Sequence, residues 1–175
     1  STVTINNVRL CEVTCDPDPE PDPNYLDLSA NSAYTSNDSN NGSVQASGNS
    51  LTLTGNRWRF IDDAVVTLTS NSIIEFEFSS DGLGEIQGLA FDNDHTIDNG
   101  GIVFRLIGSQ DWGNPNYPYT GNGAVQSFSI PVGQFLTGDN WQLLIINDND
   151  AAPNSSTLTI DKVRICETSC GGAAQ

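Results

Sequence analysis

The sequence SIIEFEFSS at residues 72–80 decides the fold class. Ile74, Phe76 and Phe78 alternate with Glu75 and Glu77, so one side of the segment is apolar and the other is charged. Successive side chains of a β-strand point to opposite faces, and this alternation therefore predicts a strand with one face in a core and the other in water. The segment indicates an antiparallel sheet that covers a core on one side.

Similar short segments recur along the chain, and no helical periodicity of convincing length accompanies them. The connectors between them are rich in Gly, Asn and Asp, residues that favour turns. Further strands are predicted at residues 50–55, 64–70, 85–92, 102–108, 124–132, 141–148 and 157–166. Eight or more short strands at this spacing predict an all-β fold, a two-sheet antiparallel β-sandwich of the jelly-roll type.

The charge of the chain excludes two classes of partner. Its 175 residues carry 22 acidic and 6 basic side chains, which gives a formal net charge of −16. Six dispersed cations cannot form the basic face that nucleic-acid binding or attraction to an anionic membrane requires. No apolar run approaches the ~20 residues of a membrane-spanning helix. We therefore expect neither nucleic acid nor membrane as a partner.

The two ends of the chain carry an internal repeat. Residues 1–15 (STVTINNVRLCEVTC) and 156–170 (STLTIDKVRICETSC) are identical at nine of 15 positions. An alternating acidic and proline tract, DPDPEPDP at 16–23, follows the first copy and is typical of a stiff extended linker. We interpret 1–15 as the terminal strand of a preceding tandem copy, 24–170 as one complete module and 171–175 as a tail or the start of the next linker. Residues 1–15 are also a candidate for strand exchange with a neighbouring copy.

The four cysteines form two closely spaced pairs, Cys11 with Cys15 and Cys166 with Cys170. Each pair follows the same predicted strand, which favours two local disulfides among the three possible pairings. A zinc site is the competing interpretation, and a chain with a single histidine supports it poorly. Disulfides in an Asp-rich, Lys-poor β protein favour a secreted, extracellular location.

The motifs of common enzymes are absent from the sequence. There is one histidine, His95, and no nucleophile elbow, phosphate-binding loop or zinc-protease motif. Glu75 and Glu77, with Glu85 at the start of the next strand, offer carboxylates of the kind that glycosidases use. An exposed polar strand face explains this pattern better. We therefore expect that the chain is not an enzyme.

Two loops at predicted strand ends are rich in oxygen ligands, FDNDHTID at 91–98 and INDND at 146–150. Calcium takes six to eight oxygen ligands from carboxylates and carbonyls. If the loops are neighbours in space, the ion has a first shell of four aspartates: Asp92, Asp94, Asp148 and Asp150. In the alternative interpretation, the Asp and Asn residues only cap turns.

Residues 110–119, QDWGNPNYPY, place three aromatic side chains in a predicted loop. A flat ring on a rigid loop can stack on the apolar face of a sugar, while amides and carboxylates bond its hydroxyls. The candidate stacking residues are Trp112, Tyr117 and Tyr119, and the candidate hydroxyl-binding residues are Asn114, Asp111 and His95. The alternative is that Trp112 folds down to close the end of the sandwich. Trp58 has a weaker claim, as a surface platform.

Several segments together resemble a known kind of module: GEIQGLAFDND, FRLIGSQDWGNPNY, SFSIPVGQFLTG, LLIINDND and TIDKVRIC, within residues 72–166. Their order resembles that of jelly-roll carbohydrate-binding modules appended to secreted bacterial enzymes that degrade polysaccharides. The resemblance implies a non-catalytic module that binds polysaccharide. By analogy with calcium-dependent xylan-binding modules, it also implies a loop-held calcium that contacts sugar hydroxyls.

The expected function is to tether a secreted enzyme to a polysaccharide, with calcium as the cofactor. A polyanionic module repels anionic polymers, so neutral plant or algal glycans are mildly preferred. The alternative is a structural or adhesive repeat of a bacterial cell-surface protein. In that case calcium only rigidifies the array and the aromatic residues are packing residues.

Overall fold

The computed structural model describes residues 24–34, 37–39, 41–81, 84–97, 103–150 and 155–170. These residues form an all-β fold with one short 3₁₀ turn at Val132–Gln134. The nine strands, in chain order, are β1 (Asn31–Ala33), β2 (Asn41–Ser47), β3 (Ser50–Leu68), β4 (Ser72–Ser80), β5 (Ile86–Asp92), β6 (Val103–Ile107), β7 (Gln126–Ile130), β8 (Gly138–Asp148) and β9 (Thr157–Glu167).

The long strand β3 belongs to both layers of the sandwich. The second part of β3, from Arg57 onwards, pairs with β8 and β1. β8 also pairs with β5, and β5 pairs with β6; we call this layer the front sheet. The first part of β3 pairs with β2 and β9. β9 also pairs with β4, and β4 pairs with β7; we call this layer the back sheet. All of these pairings are antiparallel. The structure thus confirms the predicted two-sheet antiparallel β-sandwich.

The chain changes sheets at Gly55. Pairing with β9 ends at Thr54, and pairing with β8 begins at Arg57. Gly55 has φ +75°, and a Cβ atom at this position would lie 2.3 Å from the carbonyl oxygen of Asn41. Since only glycine accepts both this backbone conformation and this close approach, it allows β3 to bend while β2 stays paired beside it.

Apolar side chains form two separate clusters. The inner core lies between the sheets and contains the alternating residues Ile74, Phe76 and Phe78 of β4. The outer cluster lies on the opposite face of the front sheet; its buried members are Tyr34, Trp58, Phe60, Ile86, Ala90, Val103, Leu144 and Ile146. A front sheet that is buried on both faces explains why β5 is buried along its whole length.

The strand prediction differs from the structure at β1, β2 and β3. The segments 50–55 and 64–70, predicted as separate strands, are joined in the single strand β3, which ends at Leu68 and has register shifts between Phe60 and Val65 and between Val66 and Leu68. The intervening residues face both clusters and therefore lack a simple alternation. β1 and β2 were not predicted, because β1 has only three residues and Val44 is the only large apolar residue in the β2 sequence NGSVQAS.

Cys166 and Cys170 form a disulfide at the end of β9, as predicted, and this bond excludes their sulfur atoms as zinc ligands. Cys11 and Cys15 lie outside the described residues, as do the predicted preceding strand (1–15), the linker (16–23) and the tail (171–175). Within the described ranges, no helix has the length and apolarity to cross a lipid bilayer.

Candidate functional site: a tryptophan cleft beside a carboxylate cluster

A cleft opens at the edge of the outer cluster, where two indole rings meet. Trp58 of β3 is 2% exposed, and Trp112, on the loop after β6, is half-buried against it. Their ring centroids are 6.4 Å apart and their planes are inclined by 41°. The cleft has a volume of about 320 Å³ and is lined by Asn37, Trp58, Ile86, Ile97, Gln110, Trp112 and Asp148. We call this site the tryptophan cleft.

Three carboxylates meet next to the cleft: Glu85, Asp148 and Asp150, which we call the carboxylate cluster. Ile86 of β5 pairs with Asp148 of β8, so Glu85 lies beside the end of β8 and its N–H donates to the Asp148 carbonyl at 2.7 Å. The Asp150 N–H donates to Glu85 Oε2 at 3.0 Å. One ligand oxygen from each side chain lies within 4.8 Å of the other two. These residues can therefore hold a cation together.

The surroundings of Asp148 and Asp150 in the carboxylate cluster disfavour the ionised forms of both side chains. The pKa of Asp148 is raised from 3.8 to about 6, chiefly by burial and also by the charges of Asp150 and Glu85, although a hydrogen bond from Trp58 Nε1 lowers it. That bond is 3.4 Å long. The hydrogen bond with Glu85 and then the charge of Glu85 raise the pKa of Asp150 as well. A bound cation would remove this repulsion.

Backbone hydrogen bonds fix the loop that carries Trp112 to the start of β5. The N–H groups of Ser109 and Gln110 donate to the carbonyls of Gly84 and Glu85 at 3.1 and 3.0 Å. This close approach requires Gly108, because a Cβ atom there would lie 2.2 Å from the Glu85 carbonyl oxygen. The side chain of Gln110 also donates to Glu85 Oε1 at 2.9 Å. The cleft and the cluster are therefore linked through one short segment.

The structure places two predicted sugar-binding residues on the same loop as Trp112 but outside the lining of the cleft. Asp111 is exposed and forms an ion pair with Arg105 at 3.2 Å. The side-chain oxygen of Asn114 accepts a hydrogen bond from the N–H of Asn116 at 3.0 Å. Both side chains stabilise the loop itself.

His95 lies elsewhere, in the loop that follows β5. Its backbone is left-handed, with φ +62°, and its exposed ring meets Phe60 of the outer cluster edge-on at 4.8 Å. It is not among the residues that line the cleft.

The two predicted tyrosines lie against the inner core, across the front sheet from Trp112. Tyr119 is 5% exposed; its hydroxyl donates to the Ala124 carbonyl and accepts from the Gly123 N–H, both at 2.8 Å. A ring buried in this way cannot stack on a sugar, which corrects the expectation for Tyr119. Tyr117 is half-buried and meets the ring of Phe135, which is 39% exposed, at 6.4 Å.

The four predicted calcium ligands do not converge. Asp148 pairs with Ile86 at one end of β5, whereas Asp92 pairs with Gln142 at the other end. Six residues of strand, about 20 Å, separate the two ends. Asp92 is 2% exposed and accepts a hydrogen bond from the N–H of Asp94 at 3.1 Å, while Asp94 is exposed in the turn. The prediction of one shell from both loops is therefore wrong: antiparallel pairing of β5 with β8 brings Asp148 and Asp150 to Glu85 instead.

Four polar or aromatic residues of the site were not predicted for it: Glu85, Gln110, Asn37 and Trp58. Glu85 is the first residue of the strand predicted at 85–92, a position that indicates a ligand at a strand end only once the partner strand is known. Trp58 was expected at the surface and is buried, because it is part of the long strand β3 and faces the outer cluster.

A second cleft, of about 330 Å³, lies on the back sheet and is lined in part by Tyr25, Glu75, Glu77, Lys162 and Arg164. Its charged side chains already pair with one another: Arg164 with Glu75 at 2.8 Å and Lys162 with Glu77 at 2.9 Å. The tryptophan cleft is the better candidate, because it combines an indole ring with the carboxylate cluster.

No protein-family model matches the sequence, and neither does any curated protein. Among solved structures, the chain is similar to a mutant of the family 29 carbohydrate-binding module CBM29-2 complexed with cellulohexaose, at 12% identity and TM-score 0.40, over 73% of this chain and 75% of that one. It is also similar to the N-terminal cellulose-binding domain of β-1,4-glucanase C from Cellulomonas fimi, at 10% identity and TM-score 0.36, over 73% and 84%. Both are named as carbohydrate-binding or cellulose-binding domains. Likenesses at this level leave the function to be inferred from the chain's own residues.

Proposed function

We propose that this chain is a secreted, non-catalytic carbohydrate-binding module that tethers an enzyme to a polysaccharide. The tryptophan cleft is its sugar-binding site, and calcium binds at the carboxylate cluster. Neutral plant or algal glycans are the favoured partners, because the chain carries a net charge of −16. The disulfide between Cys166 and Cys170 supports an extracellular location.

The observation that carries this proposal is that the half-buried Trp112 ring and the carboxylate of Asp148 line the same cleft. The apolar face of a pyranose ring stacks on an indole, and its hydroxyls bond to carboxylates and amides around the rim. Asp148, Asn37 and Gln110 supply such groups in the lining of the cleft. A volume of about 320 Å³ is at the lower end of the range for small-ligand sites and suits one or two sugar units.

The grouping of the carboxylates favours a cation over glycoside hydrolysis. A hydrolase places its two carboxyl groups on either side of the scissile bond. Glu85, Asp148 and Asp150 each place one oxygen within 4.8 Å of the others. This spacing is well below the roughly 6.5–9.5 Å of inverting glycosidases and slightly below the roughly 5–5.5 Å of retaining ones. Three carboxylates offer up to six oxygen atoms, the hard ligands that calcium prefers.

Affinity electrophoresis tests the sugar site. We expect one or more of xylan, β-glucan, mannan and agarose to retard the protein, more than alginate or carrageenan, and a chelator to weaken the retardation. Trp112→Ala should raise the dissociation constant about 30-fold, the roughly 2 kcal/mol of an anchoring aromatic residue. Trp141→Ala is the matched control, because this half-buried tryptophan of β8 lies outside the cleft. Retardation that survives Trp112→Ala would move the site elsewhere, and no retardation on any glycan would refute the function.

One observation favours the second candidate, a calcium-rigidified structural or adhesive repeat. The carboxylate cluster joins the start of β5 to the end of β8, and Gln110 attaches the Trp112 loop to it. A cation there would stiffen three segments even without a sugar. Calcium that raises the melting temperature of a protein that no glycan retards would favour this candidate.

The tethering role requires further domains in the parent protein. A reading frame with an upstream module and a catalytic domain would support it. Tandem modules would raise avidity if the linker spans adjacent sites on the polymer.

A further inference from the structure

β9 is an interior strand of the back sheet, and its position can be filled only by a segment with particular residues. It lies between β3 and β4, and it pairs with β3 through Leu158 and Ile160 and with β4 along most of its length. Leu158, Ile160 and Val163 are at most 1% exposed in the inner core. A segment that fills this position therefore needs apolar residues at these three places.

A segment in the position of β9 must also form a β-bulge. Glu75 pairs with Arg164 and Glu77 pairs with Asp161, so β9 has one residue more than β4 between these pairs. Lys162 is at the bulge and has a left-handed backbone, with φ +54°. Non-glycine residues adopt this conformation rarely, and asparagine does so several times more often than most.

The N-terminal copy, residues 1–15, meets both requirements at an offset of 155 residues. Val3, Ile5 and Val8 stand where Leu158, Ile160 and Val163 enter the core. The residue that corresponds to Lys162 is Asn7, which tolerates the left-handed backbone better than lysine. The sequence of the copy therefore has suitable residues at the core positions and at the bulge position of β9.

The polar contacts of β9 are matched as well. Thr157 and Thr159 hydrogen bond to threonines of β3 at 3.0 and 2.9 Å, and Arg164 pairs with Glu75 at 2.8 Å. Glu167 accepts a hydrogen bond from Ser72 at 2.6 Å. The identical residues in the N-terminal copy are Thr2, Thr4, Arg9 and Glu12. The ion pair of Lys162 with Glu77 is not matched, and an exposed pair contributes little.

The N-terminal copy can reach the β9 position of its own module. The first described residues lie beside β9, where the N–H of Leu26 donates to the carbonyl of Val163 at 2.8 Å. If Cys11 took the place of Cys166, the chain would have to return only about three strand residues, roughly 10 Å, to arrive at Leu26. The eight-residue linker at 16–23 alone spans up to about 25 Å.

We propose that the N-terminal copy is a second version of β9 that takes its place between β3 and β4 of the same module when β9 is displaced. The chain therefore holds two interchangeable closing strands for one position. The strand that is outside the sheet is then available to another module.

A cycle of variants tests this exchange in the full chain. Ile160→Asp disables β9, Ile5→Asp disables the N-terminal copy, and the double variant disables both. Leu53→Asp is the matched control, because Leu53 pairs with Leu158, is fully buried and has no second copy. Thermal unfolding, hydrogen exchange and size-exclusion chromatography are the measurements.

We expect Ile5→Asp to melt like the wild type. Ile160→Asp should stay folded and monomeric, with at least tenfold slower amide exchange at residues 2–10 than in the wild type and loss of protection at 157–165. The double variant and Leu53→Asp should be unfolded. Ile160→Asp that is as unfolded as the double variant would overturn the proposal. So would Ile160→Asp that is folded without protection at residues 2–10, or that is folded only as a dimer.

Discussion

Replacement of Asp148 by asparagine should stabilise the metal-free protein at pH 7 and leave its stability unchanged at pH 3. The folded protein raises the pKa of this carboxyl from 3.8 to about 6, chiefly through burial. Below pH 3.8 the group is protonated in both states and contributes no difference. As the pH rises from 4 to 7 the unfolded chain ionises first, so the native state loses stability until the folded group also ionises near pH 6. Asparagine removes this loss and still accepts the hydrogen bond from Trp58 through its amide oxygen.

The magnitude follows from the size of the shift. About two pKa units correspond to at most ~3 kcal/mol, and because the carboxyl is only partly buried we reduce this to about 1–1.5 kcal/mol. For a domain of this size that is roughly 2–6 °C in melting temperature. The assay is thermal unfolding of both proteins between pH 3 and 8 with a chelator present, and Asp63→Asn, an exposed carboxyl outside the cluster, is the control. A variant that is equal to or less stable than the wild type at pH 7 would refute the reasoning.

Two further substitutions test the cluster and the core. Glu85→Gln should weaken calcium binding at least tenfold, about 1.4 kcal/mol, because it removes one of three carboxylates; calorimetric titration measures this, and unchanged affinity would exclude the cluster as the site. Tyr119→Phe should lower the free energy of unfolding by about 1 kcal/mol in urea without any effect on glycan retardation, because the substitution removes the hydrogen bonds of the hydroxyl with the backbone of Ser80, Gly123 and Ala124. Loss of retardation would instead return Tyr119 to the sugar site.

Local alternation was sufficient to predict most strands. Ile74, Phe76 and Phe78 face the inner core, as the sequence indicated, and the predicted boundaries of β4 agree with the structure. β3 was less predictable, because its middle carries apolar residues on both faces and changes sheets at Gly55. Alternation of apolar and polar residues identifies a strand with one buried face. It does not identify a strand such as β3, which has apolar residues on both faces and belongs to two sheets.

The site was predictable only in part, because strand pairing determines it. Trp112 and Asp148 were identified from their loops and lie in one cleft. Nothing in the sequence specifies that β5 and β8 pair with Ile86 opposite Asp148, and this register brings Glu85 in and leaves Asp92 at the far end. Tyr119 is assigned wrongly for a similar reason, since the sequence of a loop does not show which of its rings the core accepts.

Asp148 lines the tryptophan cleft and also belongs to the carboxylate cluster, so the two proposed ligands must influence each other. Calcium neutralises carboxylates that otherwise repel one another and fixes the side chain that the sugar contacts, and we therefore expect it to tighten glycan binding by about tenfold. Linkage then requires the glycan to tighten calcium binding by the same factor. Two titrations check this: calcium with and without the best-retained glycan, and the glycan with and without calcium. Equal factors above one support a shared Asp148, equal factors below one mean that the two ligands compete for it, and a factor of one in both titrations would mean that the cleft and the cluster are independent sites.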